Sequence, residues 1–174
     1  MELLTERLRL REFVVEDHEA VHRYASDPEA TRYMDWGPND PKATEVFLAQ
    51  AQASAAYVPR SRYALAIVRR ELNELIGSVE LQVTDQENGY GVLGYVLGRD
   101  WWGQGYATEA AAGMLRYGFV ELRLGSISAT CDPDNAASAA VLKRIGMHQV
   151  GHLHHHVYTR GEWRDRLQFA CPSR

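Results

Sequence analysis

The sequence predicts an α/β protein built on a mixed, mostly antiparallel sheet of about seven strands, with helices on both faces. Several short segments alternate apolar and polar residues, which is typical of half-buried strands. Segments with helix capping and stop signals lie between them. The resulting order is β-α-α-β-β-β-α-β-α-β-β, in which an antiparallel meander leads into βα units. We expect the 174 residues to form a single domain over 1–174.

Strands are predicted where a short segment alternates, or is apolar, between turn residues. In chain order these segments are residues 7–13, 62–70, 75–83, 91–98, 126–131, 148–158 and 162–170. A short polar turn joins the second segment to the third, so these two are predicted to form a hairpin. The next strand, residues 91–98, is more apolar.

Four helices are predicted between these strands. They cover about residues 17–24, 43–56, 108–122 and 134–146. Asp17 stands where its side chain can cap the first helix. The second helix stops before Pro59, and Gly146 closes the fourth.

The composition limits the partners and the compartment. The chain has 19 Lys and Arg residues against 23 Asp and Glu residues, a net charge of −4, which argues against nucleic acid as the primary partner. No apolar run approaches the length of a membrane helix, and the first residues lack the apolar core of a signal peptide. We therefore expect a cytoplasmic protein without a membrane partner, in which Cys131 and Cys171 are reduced thiols.

The stretch WWGQGYATEA (101–110) places two glycines directly before a predicted helix. Gly103 and Gly105 either allow a tight turn with positive φ or let the backbone approach a ligand closely. A helix N-terminus stabilises phosphate oxygens through its free N–H groups and its partial positive charge. The dinucleotide fingerprint is excluded because Thr108 stands where it needs a third glycine, and the Gly-Lys-Ser/Thr end of a P-loop is absent.

The stretch does resemble the acetyl-CoA loop of the GNAT superfamily of N-acetyltransferases. Gly105, Tyr106 and Ala107 match the last positions of that loop, and Trp102 at its first position is similar to the RimJ/RimL-like branch, the ribosomal-protein-alanine N-acetyltransferase-like enzymes. Further segments look like that branch in the same order, namely residues 3–13, 75–81, 93–97, 132–147 and 161–165. The resemblance implies the GNAT fold, in which a splayed strand pair forms the acetyl-CoA cleft.

The same resemblance implies a reaction. The protein is expected to move the acetyl group of acetyl-CoA to a primary amine, with a protein or peptide N-terminal α-amine as the favoured acceptor, by direct attack in a ternary complex. The alternative is a non-catalytic acyl-CoA-binding or sensing module, because Leu142 and Val92 stand where many members carry a tyrosine acid and a glutamate base. A homodimer is expected, since dimers are the commonest soluble homo-oligomers.

Residues that bind acetyl-CoA are assigned by position in the family. They are Tyr95, Val96, Leu97, Trp102, Gly103, Gln104, Gly105, Tyr106, Ala107, Thr108 and Asn135. Asn135 and Ser138 are three apart, so both face the same side of their helix. Ser138 is the candidate that protonates, or hydrogen-bonds, the departing thiolate. Trp101 and Trp102 either pack at the edge of the core or contact the cofactor.

The general base has several candidates. Glu80 is one, and His156 is another, because a histidine can deprotonate an ammonium near neutral pH. His152, His154 and His156 are expected to alternate onto one strand face, which could also hold zinc or simply be a polar rim of the substrate groove. No metal is expected. Loss of the amine proton through water, with no single base, is a further alternative. Glu109 is interpreted as a carboxylate that braces the loop.

The acceptor is expected to contact the turn-rich segment YMDWGP (33–38). Asp35 could pair with an ammonium, while Tyr33 and Trp36 could contact its stem or attract its charge. His154 is also expected to contact the acceptor. A surface loop with a buried tryptophan anchor is the alternative for the same segment.

Overall fold

The computed structural model describes residues 1–173, which form one eight-stranded sheet and four α-helices. The strands are β1 (Glu2–Leu4), β2 (Leu8–Arg11), β3 (Arg62–Arg69), β4 (Glu74–Asp85), β5 (Tyr90–Leu97), β6 (Ser126–Cys131), β7 (His148–Thr159) and β8 (Glu162–Pro172). The helices are α1 (His18–Ala25), α2 (Pro41–Ala56), α3 (Tyr106–Val120) and α4 (Ala136–Arg144). Short 3-10 turns cover Val15–Asp17 and Arg99–Trp101.

The sheet has the strand order β1-β2-β3-β4-β5-β6-β8-β7. Every neighbouring pair is antiparallel except β5 and β6, which are parallel. The predicted mixed, mostly antiparallel sheet is therefore confirmed, with one strand more than expected. The extra strand is β1, whose three residues are too few to show a period in the sequence, although Leu3 pairs with Leu10 of β2.

Helices cover both faces of the sheet, as predicted. Because side chains alternate across a strand, each face has its own apolar core. Helices α3 and α4 cover the larger core, in which Leu81, Ile127 and Phe169 are fully buried. Helices α1 and α2 cover the smaller one, around Ala66 and Val68.

Two helices begin earlier than the sequence predicts. The side chain of Asp40 accepts a hydrogen bond from the Ala43 amide at 2.7 Å, and Pro41 occupies the first position of α2. A capping aspartate followed by proline is a strong helix start. Gly105 adopts a left-handed conformation at the N-cap of α3, so that helix starts at Tyr106.

The predicted capping role of Asp17 is wrong, although the helix after it is present. Its carboxylate accepts hydrogen bonds from the Arg11 guanidinium at 2.7 and 2.8 Å and from the Val14 amide at 2.9 Å. A 3-10 turn that ends at Asp17 leads into α1. The buried carboxylate therefore holds β2 and this turn together.

Strands β5 and β6 part after a short paired region. Only Tyr90–Val92 pair with Ser126–Ser128. Beyond that point β5 stays paired with β4 as far as Leu97, while β6 stays paired with β8 as far as Cys131. The divergence is the splayed pair that the sequence predicts, and it opens a cleft through the middle of the sheet.

Cys131 and Cys171 are both free thiols, and Cys131 is buried at the end of β6. In the part of the chain that the structure describes, no helix combines the length and the apolar character needed to cross a membrane.

Strands β4 and β5 approach each other closely at Gly77, so a substitution there tests how the two strands pack. A Cβ atom there would lie 2.2 Å from the Val96 carbonyl oxygen, whereas one at Gly94 would meet nothing within 4 Å. We predict that Gly77→Ala lowers the free energy of unfolding by about 3 kcal/mol, because backbone atoms of β5 must move. The matched control Gly94→Ala should change it by less than about 1 kcal/mol. Urea denaturation measures both, and equal effects would contradict the packing described.

Candidate active site

Both glycines of the loop before α3 have positive φ, 74° at Gly103 and 81° at Gly105. This conformation is costly for residues with a side chain. A Cβ atom at Gly103 would meet nothing within 4 Å, and one at Gly105 would meet only the end of the Arg7 side chain at 3.4 Å. The backbone conformation requires the glycines, and the space in front of Gly103 is open.

The backbone N–H groups of residues 103–108 have no protein acceptor within residues 1–173. The first amide of this region to find one is that of Glu109, which donates to the Gly105 carbonyl at 3.0 Å. Free amides at a helix N-terminus, together with the helix dipole, form a site for an anion. A diphosphate suits this site because several of its oxygens can accept hydrogen bonds at once.

Glu109 braces this loop, as interpreted from the sequence. Its carboxylate accepts hydrogen bonds from the Thr5 hydroxyl at 2.6 Å and from the amide and Nε of Arg7, both at 2.7 Å. Arg7 also donates to the Gln104 carbonyl at 3.0 Å. Burial raises the pKa of Glu109, but the hydrogen bonds from Thr5 and Arg7 outweigh burial and hold the pKa below its usual value.

The two tryptophans have different surroundings. Trp101 packs against the larger core, and the Arg69 guanidinium lies 4.6 Å from the centre of its ring. Trp102 is 49% exposed, and its indole N–H donates to the Leu97 carbonyl at 2.9 Å. Trp101 therefore lies at the edge of the core. The hydrogen bond of Trp102 holds the loop that contains Gly103 and Gly105, here called the glycine loop, against the end of β5.

A cavity of about 100 Å³, here called the inner cavity, lies where β5 and β6 part. Tyr95, Cys131, Asn135, Ser138 and Leu142 line it. The Tyr95 hydroxyl lies 2.9 Å from Ser138 Oγ and 3.2 Å from the Ser138 carbonyl oxygen. Asn135 caps α4 by accepting from the Ser138 amide at 3.0 Å. The cavity thus brings two hydroxyl groups together from β5 and α4.

The hydroxyl of Tyr95 is a catalytic candidate that the sequence analysis missed, because Tyr95 was assigned there only as a residue that binds acetyl-CoA. Burial raises the pKa of Tyr95 to about 12, although the hydrogen bond with Ser138 acts in the opposite direction. The phenol is therefore protonated at neutral pH and can donate a hydrogen bond. Leu142, at the position of the missing family tyrosine, lines the same cavity.

Successive residues of β5 turn their backbone N–H and C=O groups toward opposite sides of the strand. The Gly98 amide donates to the Ile76 carbonyl of β4 at 2.9 Å. Because hydrogen-bonded and non-hydrogen-bonded pairs alternate along an antiparallel ladder, Tyr95 and Leu97 turn their backbone groups away from β4 and toward the cleft. Val96 turns its backbone groups toward β4, and its side chain packs in the smaller core.

A larger cavity of about 580 Å³, here called the outer cavity, adjoins the inner one. Tyr33 and Asp132 line both cavities. Asp165 and Trp163 of β8 also line the outer cavity. This arrangement gives a second molecule a route to the hydroxyl pair of the inner cavity.

Only Tyr33 of the three residues selected from the 33–38 segment lines either cavity; Asp35 and Trp36 are exposed. The idea of a buried tryptophan anchor is wrong, since Trp36 is 38% exposed. Arg160 anchors the loop instead, by donating to four carbonyl groups. These belong to Thr31 at 2.8 Å, Arg32 at 2.7 Å, Trp36 at 3.2 Å and Gly37 at 3.0 Å. Nothing in the sequence links Arg160 to a segment more than 120 residues earlier.

The expected row of three histidines is wrong because β7 is not regular there. Residues 154–156 bulge opposite Asp165, and His155 has a φ of 48°. His152 and His154 both contact Asp165, at 2.8 and 2.9 Å. His156 is exposed and lines neither cavity.

Glu80 forms a two-point ion pair with Arg62, at 2.9 and 2.8 Å. This hydrogen bond raises the pKa of Arg62, partly offset by burial. Glu80 lies opposite Gly94 in the β4–β5 ladder but lines neither cavity. Its role as a base stays a prediction.

Comparisons with known proteins identify the family of the chain. Residues 7–148 match the acetyltransferase (GNAT) domain. The chain is 34% identical to the uncharacterized N-acetyltransferase p20 of Bacillus licheniformis, over 99% of this chain and 96% of that one. The crystal structure of an acetyltransferase (GNAT family) from Bacillus anthracis has a TM-score of 0.88 and 29% identity, and 99% of each chain is covered. RimJ of Mycobacterium smegmatis in complex with CoA-disulfide has a TM-score of 0.83 and 25% identity, over 95% of this chain and 82% of that one.

The chain therefore belongs to the GNAT family. It is an N-acetyltransferase with relatives in the RimJ/RimL branch, and acetyl-CoA is its cosubstrate. The family, fold class, enzyme class and cosubstrate predicted from the sequence are confirmed. The free amides of residues 103–108 fit the diphosphate of this cosubstrate.

The brace of the glycine loop gives a prediction about pH. Glu109→Gln should lower the free energy of unfolding by about 1 kcal/mol at pH 7, because Arg7 is partly exposed and water weakens the pair. The low pKa of Glu109 in the folded state means that its stabilisation is present above the ordinary glutamate pKa of about 4.5 and is lost as the pH falls further.

Thermal melting of both proteins from pH 7 to pH 3 measures this difference. Glu121→Gln, just after the other end of α3, is the control and should have no effect. A difference between wild type and Glu109→Gln that stays constant down to pH 3 would contradict the assignment.

Proposed function

We propose that this enzyme transfers the acetyl group directly to a primary amine while both substrates are bound in a ternary complex. The observation that carries the proposal is the position of the Tyr95–Ser138 hydroxyl pair in the inner cavity. On one side, β5 leads from this cavity to the glycine loop through Leu97 and Trp102. On the other side, the cavity shares Tyr33 and Asp132 with the outer cavity. The donor and the acceptor can therefore approach from opposite directions.

The cosubstrate is proposed to lie along β5 with its diphosphate on the loop. The amides of residues 103–108, from Gly103, Gln104, Gly105, Tyr106, Ala107 and Thr108, hold the diphosphate. The cleft-facing backbone groups of Tyr95 and Leu97 bind the amides of the pantetheine arm. The Leu97 carbonyl can accept a second hydrogen bond besides that of Trp102. Val96 fixes the strand to β4, and the remaining N–H groups of the Asn135 amide face the arm.

The two hydroxyls are proposed to protonate the leaving thiolate. When the amine attacks the thioester carbonyl, the C–N bond forms and the C–S bond breaks. Ser138 gives its hydroxyl proton to the departing thiolate, and Tyr95 donates a hydrogen bond to Ser138 Oγ. Because Tyr95 is protonated at neutral pH, its phenol passes a proton to Ser138 Oγ as Ser138 gives up its own, and the proton that the newly bonded nitrogen releases after the attack returns to Tyr95 through water.

The acceptor amine must lose a proton to attack, and we propose that water in the outer cavity carries it away. What supports this route is the position of the two side-chain candidates. Glu80 is held by Arg62, and His156 is exposed outside both cavities. Glu80 and His156 stay the individual residues to test as bases.

The acceptor is proposed to be the N-terminal α-amine of a protein or peptide. The outer cavity, at about 580 Å³, is large enough for several peptide residues and opens to solvent. Similarity to RimJ and the RimJ/RimL-like form of the loop support a protein acceptor. Tyr33 would contact the amine end, whereas the exposed Asp35, Trp36 and His154 would contact residues further along the peptide.

The acceptor class is tested by following CoA thiol release with acetyl-CoA and four amines. These are a lysine-containing peptide with a free N-terminus, the same peptide acetylated at its N-terminus, a polyamine and an aminoglycoside. Only the first should give acceptor-dependent release. Release with the small amines alone would overturn the acceptor class, and acetyl-CoA binding without release from a broad peptide panel would indicate a binding module.

The hydroxyl pair is tested by substitution. We predict that Ser138→Ala lowers kcat by about 10- to 1000-fold, and that Tyr95→Phe lowers it by about 10-fold, because a proton donor is lost from the leaving group. The affinity for acetyl-CoA, measured by calorimetry, should barely change. Tyr90→Phe is the matched control on the same strand, and its kcat should equal that of wild type. Wild-type turnover in Ser138→Ala would rule the role out.

A further inference from the structure

A bulge in β7 brings two histidines together near the outer cavity. Leu153 pairs with Arg166 and Val157 pairs with Arg164, so residues 154–156 face a single residue of β8. His155 adopts a φ of 48°, which is uncommon for a residue other than glycine. The rings of His152 and His154 stack with centroids 4.3 Å apart, closer than the roughly 6.6 Å between alternate residues of a regular strand.

Asp165 completes the group from the neighbouring strand. Its Oδ2 lies 2.8 Å from His152 Nε2 and 2.9 Å from His154 Nδ1. One ligand atom from each of the three residues lies within 4.8 Å of the others. Two ligand atoms of a tetrahedral Zn²⁺ ion, each about 2.1 Å from it, are about 3.4 Å apart. The observed N–O distances of 2.8 and 2.9 Å are hydrogen-bond distances about 0.5 Å shorter than that spacing, so each exposed imidazole has to turn only slightly away from Asp165 to admit the ion.

The other oxygen of Asp165 is held in place. The His155 amide donates to Oδ1 at 3.0 Å. The other oxygen, Oδ2, is directed at the two rings. Metal-binding carboxylates are commonly oriented by such a second hydrogen bond. The unusual backbone at His155 thus has a use, because it supplies the amide.

We propose that His152, His154 and Asp165 bind one divalent transition-metal ion at the rim of the outer cavity. Two imidazoles and one carboxylate suit Zn²⁺, Ni²⁺ or Co²⁺ better than Mg²⁺ or Ca²⁺, which prefer oxygen ligands alone. The side chains of His152 and His154 are 41% and 70% exposed, so an ion can enter and water can fill its other positions. The bound ion links β7 to β8 across the bulge and stiffens one wall of the outer cavity.

Calorimetric titration of untagged protein with Zn²⁺, and with Mg²⁺ as the comparison ion, tests the site. Wild type should bind one Zn²⁺ per chain and show no binding of Mg²⁺. His152→Ala and Asp165→Asn should each weaken Zn²⁺ binding by at least about 10-fold. His156→Ala is the matched control, because it removes an exposed histidine of the same segment that contacts none of the three ligands, and it should bind as wild type does.

Thermal melting gives a second readout. Zn²⁺ should raise the Tm of wild type and of His156→Ala, but not that of Asp165→Asn, and circular dichroism checks that each variant is folded. No heat and no Tm shift in wild type at millimolar Zn²⁺ would overturn the proposal. Binding that survives in both His152→Ala and Asp165→Asn, or that is lost in His156→Ala, would also overturn it by placing the ion elsewhere.

Discussion

The parting of β5 from β6 is the constraint on which the rest of the site depends. Three paired residues hold the two strands together, and then each strand continues with a different neighbour. Backbone groups that a continuous sheet would satisfy are left facing a cleft, where an unmade hydrogen bond is costly. A ligand with its own amide groups can supply those bonds. The separation also makes room for Tyr95 and Ser138 to meet, so binding and chemistry have one geometric origin.

The glycine loop turns the same cleft into an anion site, and distant parts of the chain hold it in shape. Glu109 ties the loop to Thr5 and Arg7, about a hundred residues earlier, while Trp102 ties it to the end of β5. The cation of Arg7 also lies 4.5 Å from the centre of the Tyr106 ring, beside the N-terminus of α3. These contacts fix the free amides before any ligand arrives, which lowers the entropy that binding must overcome.

The helices and strands were predicted well from local patterns, because hydrophobic periodicity and helix capping depend on only a few neighbouring residues. Strand β6, for example, has the predicted bounds. The glycine loop was recognisable because its motif is contiguous. What sequence reasoning missed depends on residues far apart in the chain, such as Arg160 on the 33–38 loop and the Tyr95 hydroxyl on Ser138. The bulge in β7 was missed because a run of histidines has no period that distinguishes a regular strand from a bulged one. Asp165, which completes the histidine pair, lies on the next strand.

A crystal structure of the protein with coenzyme A bound tests the central claim most directly. The account predicts diphosphate oxygens within about 3.2 Å of several amide nitrogens of residues 103–108, and the pantetheine arm between β5 and β6. It also predicts the sulfur within about 4 Å of Ser138 Oγ, since charge-assisted proton donation needs direct contact. A diphosphate bound elsewhere, or an arm that leaves the cleft between β5 and β6 without reaching Ser138, would contradict it.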